Sequence, residues 1–156
     1  MKQSELEFLP EEALYEALQD RTVDFLLDND PEVLARLPES VLVFARVNDF
    51  LIGFDDGGLL GWLSNSVGAA WLPGLPEDLS RIGAEPHRAL LERFLAEQGI
   101  DLSDLSPFAA QSVKEYVALT KRYDFEAYDE ALSDLPDLHD LLTAYARAHL
   151  EDFAGL

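Results

Sequence analysis

Proline stands three times in this sequence where a helix would begin, and strand signals are scarce. Pro10 precedes Glu11-Glu12, Asp30-Pro31 opens the next segment, and Ser106-Pro107 opens another. Proline near the first helical position costs nothing, because the N–H it lacks has no partner there. Between these starts the apolar residues recur at helical spacing. Leu14, Leu18 and Phe25 do so with Tyr15, Thr22 and Leu26 beside them, Leu90, Leu91, Phe94 and Leu95 form a second set closed by Gly99, and Leu138, Leu141, Leu142 and Tyr145 form a third that ends at Phe153. The spacing predicts helices at 11–28, 31–36, 39–54, 58–64, 77–82, 86–98, 107–122, 126–132 and 137–152. The fold class is all-α.

The chain has 156 residues, the size of one domain, and at 48% hydrophobic it has enough apolar material for a core. No Pro/Gly/Ser stretch is long enough to separate domains, and no fixed-period repeat is present. The expectation is one compact multi-helix domain over residues 1–156, with a Gly-rich turn between its central helices. That turn lies between Phe50 and Gly74, where Gly53, Gly57, Gly58, Gly61, Gly68 and Gly74 are set among Phe54, Trp62 and Trp71. The sequence contains no Cys, which excludes disulfides, thiolate zinc sites, iron–sulfur clusters and a cysteine nucleophile.

The charge narrows the function classes further. There are 31 Asp and Glu against 11 Lys and Arg, a formal net charge of −20. Residues 1–40 hold 11 acids and 3 bases, residues 41–123 hold 11 and 7, and residues 124–156 hold 9 and 1, so the excess is mostly terminal. Direct binding to nucleic acid requires cations that neutralise phosphates, and this field has the opposite sign. It attracts basic surfaces, many of which are built to hold DNA or RNA. No apolar leader follows Met1, and the longest apolar stretch, Val41 to Phe54, is interrupted by Arg46, Asn48 and Asp49. Neither a secretory signal nor a membrane span is expected, and the location expected is cytoplasmic.

The most informative local pattern is a run of five acids at successive i, i+4 positions: Glu12, Glu16, Asp20, Asp24 and Asp28. On a helix such neighbours stand about 6 Å apart along the axis, and the row winds slowly around it. Phosphates of one DNA strand advance about 3.4 Å of axis per step, so the two spacings are of the same order. Like charges at i, i+4 oppose folding by about 0.2–0.5 kcal/mol each, and only Arg21 is close enough in sequence to relieve them. A solvated helix face, or adaptation to high salt, would give the same pattern.

Catalytic signatures are absent: there is no G-x-S-x-G, P-loop or H-E-x-x-H sequence. Asp55-Asp56-Gly57-Gly58 reads as a turn, with Asp as a cap and Gly for positive φ. His139-Asp140 resembles a metal pair, but the only other histidines are His87 and His149. No catalytic residue, metal or cofactor is assigned.

The segment Asp56-Gly57-Gly58-Leu59-Leu60-Gly61-Trp62-Leu63-Ser64-Asn65-Ser66 resembles a bacterial family of acidic helical proteins that includes a DNA mimic, whose pattern is approximately N-G-G-F-x-Q-aromatic-aromatic-x-N. Leu79-Ser80-Arg81-Ile82-Gly83-Ala84, Tyr123 to Asp129 and the Leu141-Leu142…Tyr145 helix resemble its later elements, so the likeness runs over about 40–153 and leaves 1–39 as an acidic helical extension. Asp56, Leu59, Gly61 and Leu63 depart from the pattern. Gly57, Gly58, Trp62 and Asn65, with Gly83 downstream, keep what looks like a fold-defining turn and helix. The resemblance implies an all-α fold and a role in imitating DNA.

Charge, ladder and resemblance together point to a non-enzymatic acidic protein, monomer or homodimer, that occupies the nucleic-acid-binding surface of a basic DNA-binding protein such as a transcription factor or nucleoid protein. The residues expected to bind are Glu12, Glu16, Asp20, Asp24, Asp28, Asp129, Glu130, Asp134, Asp137 and Asp140. The alternatives are an immunity-type inhibitor of a basic toxin or nuclease, and a metal-dependent hydrolase built on Asp55, Asp56, His87, His139 or His149.

Overall fold

Gly57 and Gly58 decide how the central helix is used. The computed structural model describes residues 2–156, and in it helix α4, Glu39–Asn65, is broken by non-helical backbone at these two residues. Gly58 has φ 64° and ψ −163°, a combination that only glycine adopts readily. A straight helix would hold Gly53 and Trp62 about 13 Å apart. Instead a Cβ placed on Gly53 would lie 3.2 Å from the Trp62 Cα, so the two arms of α4 fold back on each other. The Asp129 carboxylate accepts a hydrogen bond from the Leu59 N–H (2.9 Å) and so caps the second arm.

Around this hinge the chain is all-α, with ten α-helices and no strand among the described residues. Before α4 come α1 (Gln3–Glu7), α2 (Glu11–Asp28) and α3 (Pro31–Arg36). After it come α5 (Leu75–Arg81), α6 (Glu85–Gln98), α7 (Val113–Arg122), α8 (Glu126–Ser133), α9 (Leu138–Arg147) and α10 (Leu150–Ala154). Short 3-10 turns, Leu72–Gly74 and Ser106–Phe108, precede α5 and α7. Helix α4 is the hub, packing against α2, α5 and α9.

One hydrophobic core draws on both ends of the chain: Leu6, Leu14 and Leu18 are fully buried with Phe44, Trp62, Phe94 and Phe153. Phe50 meets Trp62 edge to face at 4.8 Å, and Phe44 meets Phe153 at 5.5 Å. The acidic N-terminal extension is therefore part of the core. Arg147 pins it from α9, donating to the Glu7 and Leu9 carbonyls (3.3 and 3.1 Å).

Three boundaries differ from those expected from spacing. Helix α1 is additional, held by Leu6 against α10. The 107–122 segment is a 3-10 turn at Ser106–Phe108, then irregular chain up to Ser112, whose hydroxyl caps α7 by accepting from the Glu115 N–H. The 137–152 segment breaks at His149 (φ −130°, ψ 30°), which swings Leu150 and Phe153 into the core. Gly83, at φ 82°, ends α5: the Ala84 N–H reaches back to the Leu79 carbonyl (2.8 Å) and the Gly83 N–H to that of Ser80 (3.0 Å). Such a left-handed stop suits glycine.

A buried ion pair was not legible from spacing. Asp78 is 1% exposed and takes two hydrogen bonds from Arg46, at 2.6 Å from Nε and 3.0 Å from Nη2. Burial pushes its carboxyl up, although Arg46 pulls it down. Glu39 bridges to Arg46 and Arg81 at the rim.

Candidate interaction surface

Helix α2 turns Leu14, Leu18 and Thr22 inward, and two residues out of phase with them its acids turn outward. Glu12, Glu16, Asp20, Asp24 and Asp28 are all exposed. No Lys or Arg forms a salt bridge with any of the five among the described residues. Several of the protein's cations are occupied elsewhere, Arg46 and Arg81 by Asp78 and Glu39, Arg88 by Glu92, and Arg93 by Glu97. The ladder is thus a row of carboxylates open to a partner.

At its N-terminal end the row meets acids from two other helices. Tyr15 donates its hydroxyl to the Asn48 side-chain oxygen on α4 and packs its ring on His139 at 4.3 Å, which draws α2, α4 and α9 together. Glu12 Oε2 stands 3.8 Å from His139 Nε2. Asp137 caps α9 by accepting from the His139 N–H (2.9 Å), and Asp140 Oδ1 lies 3.7 Å from His139 Nδ1. Asp55, from the first arm of α4, lines the same cavity of about 380 Å³ as Glu12, Asp137 and His139. Burial, then the neighbouring Asp137 and Asp56, hold the Asp55 carboxyl above its ordinary value. The Tyr15 hydroxyl is raised likewise, by burial, Asp55 and Glu12.

The remaining expected residues lie elsewhere. Glu130 is exposed on α8 and faces a depression shared with Asp124, Glu126 and Asp129. Asp134 is exposed at the C-terminal cap of α8. Asp129 is only partly exposed, and its role is structural: it holds Leu59, and a Cβ on Gly58 would lie 2.6 Å from its Oδ2. Desolvation raises its carboxyl while the Leu59 N–H lowers it. Trp62 fills the hinge, whereas Asn65 is exposed at the end of α4 and makes no side-chain hydrogen bond among the described residues, so it does not define the fold.

The histidines do not assemble a shared centre. His87 is buried and donates from Nε2 to the Pro136 carbonyl (2.8 Å), and His149 donates from Nδ1 to that of Tyr145. Burial lowers the His87 pKa and favours the neutral ring. Glu11, His139 and Asp140 bring donor atoms within 4.8 Å of one another, but both carboxylates are exposed and free to move apart.

Sequence reasoning overlooked Asp49. It interrupts the apolar run Val41–Phe54, and that interruption was the available signal. In the structure it lines a cavity of about 410 Å³ between α2, α4 and the 65–71 turn. Its carboxylate accepts no hydrogen bond and pairs with no cation among the described residues, and burial pushes it up to about 6.

The described residues form an acidic helical fold that carries an exposed row of carboxylates on α2. A family model for DMP19-like proteins matches residues 35–149, well over half of the chain, and the protein belongs to that family of DNA-mimic type proteins. No curated protein and no solved structure matches it. No helix among the described residues is long and apolar enough to cross a membrane.

Proposed function

We propose that the protein is a DNA mimic that occupies the nucleic-acid-binding surface of a basic DNA-binding protein. The observation that carries this reading is the open acidic row: five exposed ladder carboxylates on α2, continued at Glu12 by Asp137, Asp140 and Asp55. Membership in the DMP19-like family supports it. Arg and Lys side chains that normally meet phosphates would donate charge-assisted hydrogen bonds to these oxygens. Association would be fast and would weaken as salt rises. Glu130 and Asp134 would add carboxylates on α8, apart from the α2 row, while Asp129 holds the hinge.

The test is capture from native cell lysate on the immobilised protein, eluted by rising salt and challenged in parallel with double-stranded DNA. The expected result is one or two DNA-binding proteins that resist moderate salt, are displaced by DNA, and are not captured when the five ladder acids are replaced by Asn or Gln. Unchanged capture by that variant removes the ladder from the interface. A broad set of basic proteins released at low salt shows only non-specific charge, and a single captured nuclease or toxin identifies an immunity-type inhibitor instead.

A further inference from the structure

Beside the ladder lies a feature with no counterpart on DNA. Nine large hydrophobic side chains are exposed among the described residues, and four of them, Val23, Leu27, Ile52 and Val67, line one groove. Its walls come from α2, the first arm of α4 and the 65–71 turn, and Trp71 forms part of them. The Asn29 side chain, at the end of α2, donates to the Gly68 carbonyl (3.2 Å) and closes one end. The groove has a volume of about 410 Å³, enough for a long side chain. Asp49 is the one carboxylate lining it. Asp24 and Asp28 are the chain neighbours of Val23 and Leu27, so the groove opens beside the ladder.

We propose that this groove is a receptor for an arginine side chain of the basic partner, with the guanidinium on the Asp49 carboxylate and the aliphatic stem against Val23, Leu27 and Ile52. The charge of the occupant follows from Asp49, a carboxylate that no cation among the described residues neutralises. Its type follows from the walls. A carboxylate in apolar surroundings is matched by a planar guanidinium, which binds both oxygens, is more weakly hydrated than an ammonium and stacks on aromatic rings such as Trp71. The apolar residues accept the methylene stem, as they do wherever a long cation lies along a hydrophobic wall. An anchored side chain in a desolvated pocket, rimmed by charges, is also the usual anatomy of a strong protein interface. The identity of the partner rests on the mimic reading; the preference for arginine does not.

The test uses N-acetyl-arginine N-methylamide, with the capped lysine and leucine analogues, titrated into the full-length 15N-labelled protein at constant ionic strength. The arginine compound should shift the Trp71 indole and the Val23, Ile52 and Val67 amides saturably, in the millimolar range. The lysine compound should bind several-fold more weakly and the leucine compound should not saturate. Asp49→Asn should abolish the saturable shifts while leaving the rest of the spectrum in place. The five-acid ladder variant should retain them at reduced affinity. Equal binding of lysine overturns the assignment to a guanidinium, and equal binding of leucine makes the groove an apolar site. Shifts at the same amides on raising protein concentration alone would show a second copy of the chain there. An absence of saturable shifts ends the proposal. If lysate capture fails to find a DNA-displaced partner while the arginine compound still binds, the mimic reading fails and the receptor stands.

Discussion

Asp49 and Gly58 each hold a conformation or charge that folding alone does not favour. Burial raises the Asp49 carboxyl to about 6 from an ordinary 3.8. Between those values the folded state binds more protons than the unfolded chain, so stability falls as pH rises through the window. Below about pH 3 the group is protonated in both states and the penalty is absent. Above about pH 7 it is complete, at most about 3 kcal/mol and less to the degree that water reaches the carboxylate. Asp49→Asn should therefore be more stable than the parent at about pH 8, with the difference vanishing near about pH 3; urea melts at the two pH values measure it. Gly58 makes the opposite case. Its φ of 64° with ψ −163° is closed to residues with a Cβ, and the added carbon would strike Asp129. Gly58→Ala should cost on the order of 2–4 kcal/mol in chemical denaturation, combining backbone strain with the displaced cap. An equally stable variant would show that the hinge has another backbone solution.

At the scale of elements, helix α2 is built against its own stability. Four like-charge i, i+4 contacts act along it, and Asp24 and Asp28 sit near the C-terminal end, where the helix dipole disfavours anions and where no basic residue stands in the last turn. Replacing the five ladder acids by Asn or Gln should stabilise the protein by about 1–2 kcal/mol at low salt. A variant that is less stable would show that the carboxylates make fold-supporting contacts. The length of α2 was legible because its apolar set and Pro10 mark the face and the start. The hinge of α4 was legible too, because two adjacent glycines interrupt an apolar run. What spacing does not carry is the course of the chain where a short segment is fixed by distant packing. Helix α1 is positioned by Leu6 against α10, and the break at His149 is set by Leu150 and Phe153 entering the core. The site divides in the same way. The ladder lies within one helix and shows in the sequence. The approach of Asp55, Asp137 and Asp140 to Glu12 depends on the packing of three helices, and Asp49 depends on a groove that no single element contains.

For the whole molecule, the core and the surface act in opposition. One core joins residues from Leu6 to Phe153, while a net charge of −20 repels itself across the surface it supports. Because the N-terminal and C-terminal acids meet near His139, compaction brings together charges that the unfolded chain keeps apart. Salt should relieve this repulsion. The melting temperature should rise as sodium chloride increases from about 10 to 150 mM, over which the screening length shortens from about 30 to 8 Å, and should level off once screening is shorter than the spacing between neighbouring helices. The ladder variant, with five fewer charges, should show a smaller rise. Sodium sulfate matched for ionic strength separates this effect from general salting-out, which strengthens with sulfate at the same screening. A melting temperature indifferent to chloride would mean that the carboxylates on the three helices do not feel one another. The field presented to a basic partner would then be that of the α2 row alone, and the acids of α9 would contribute little to binding.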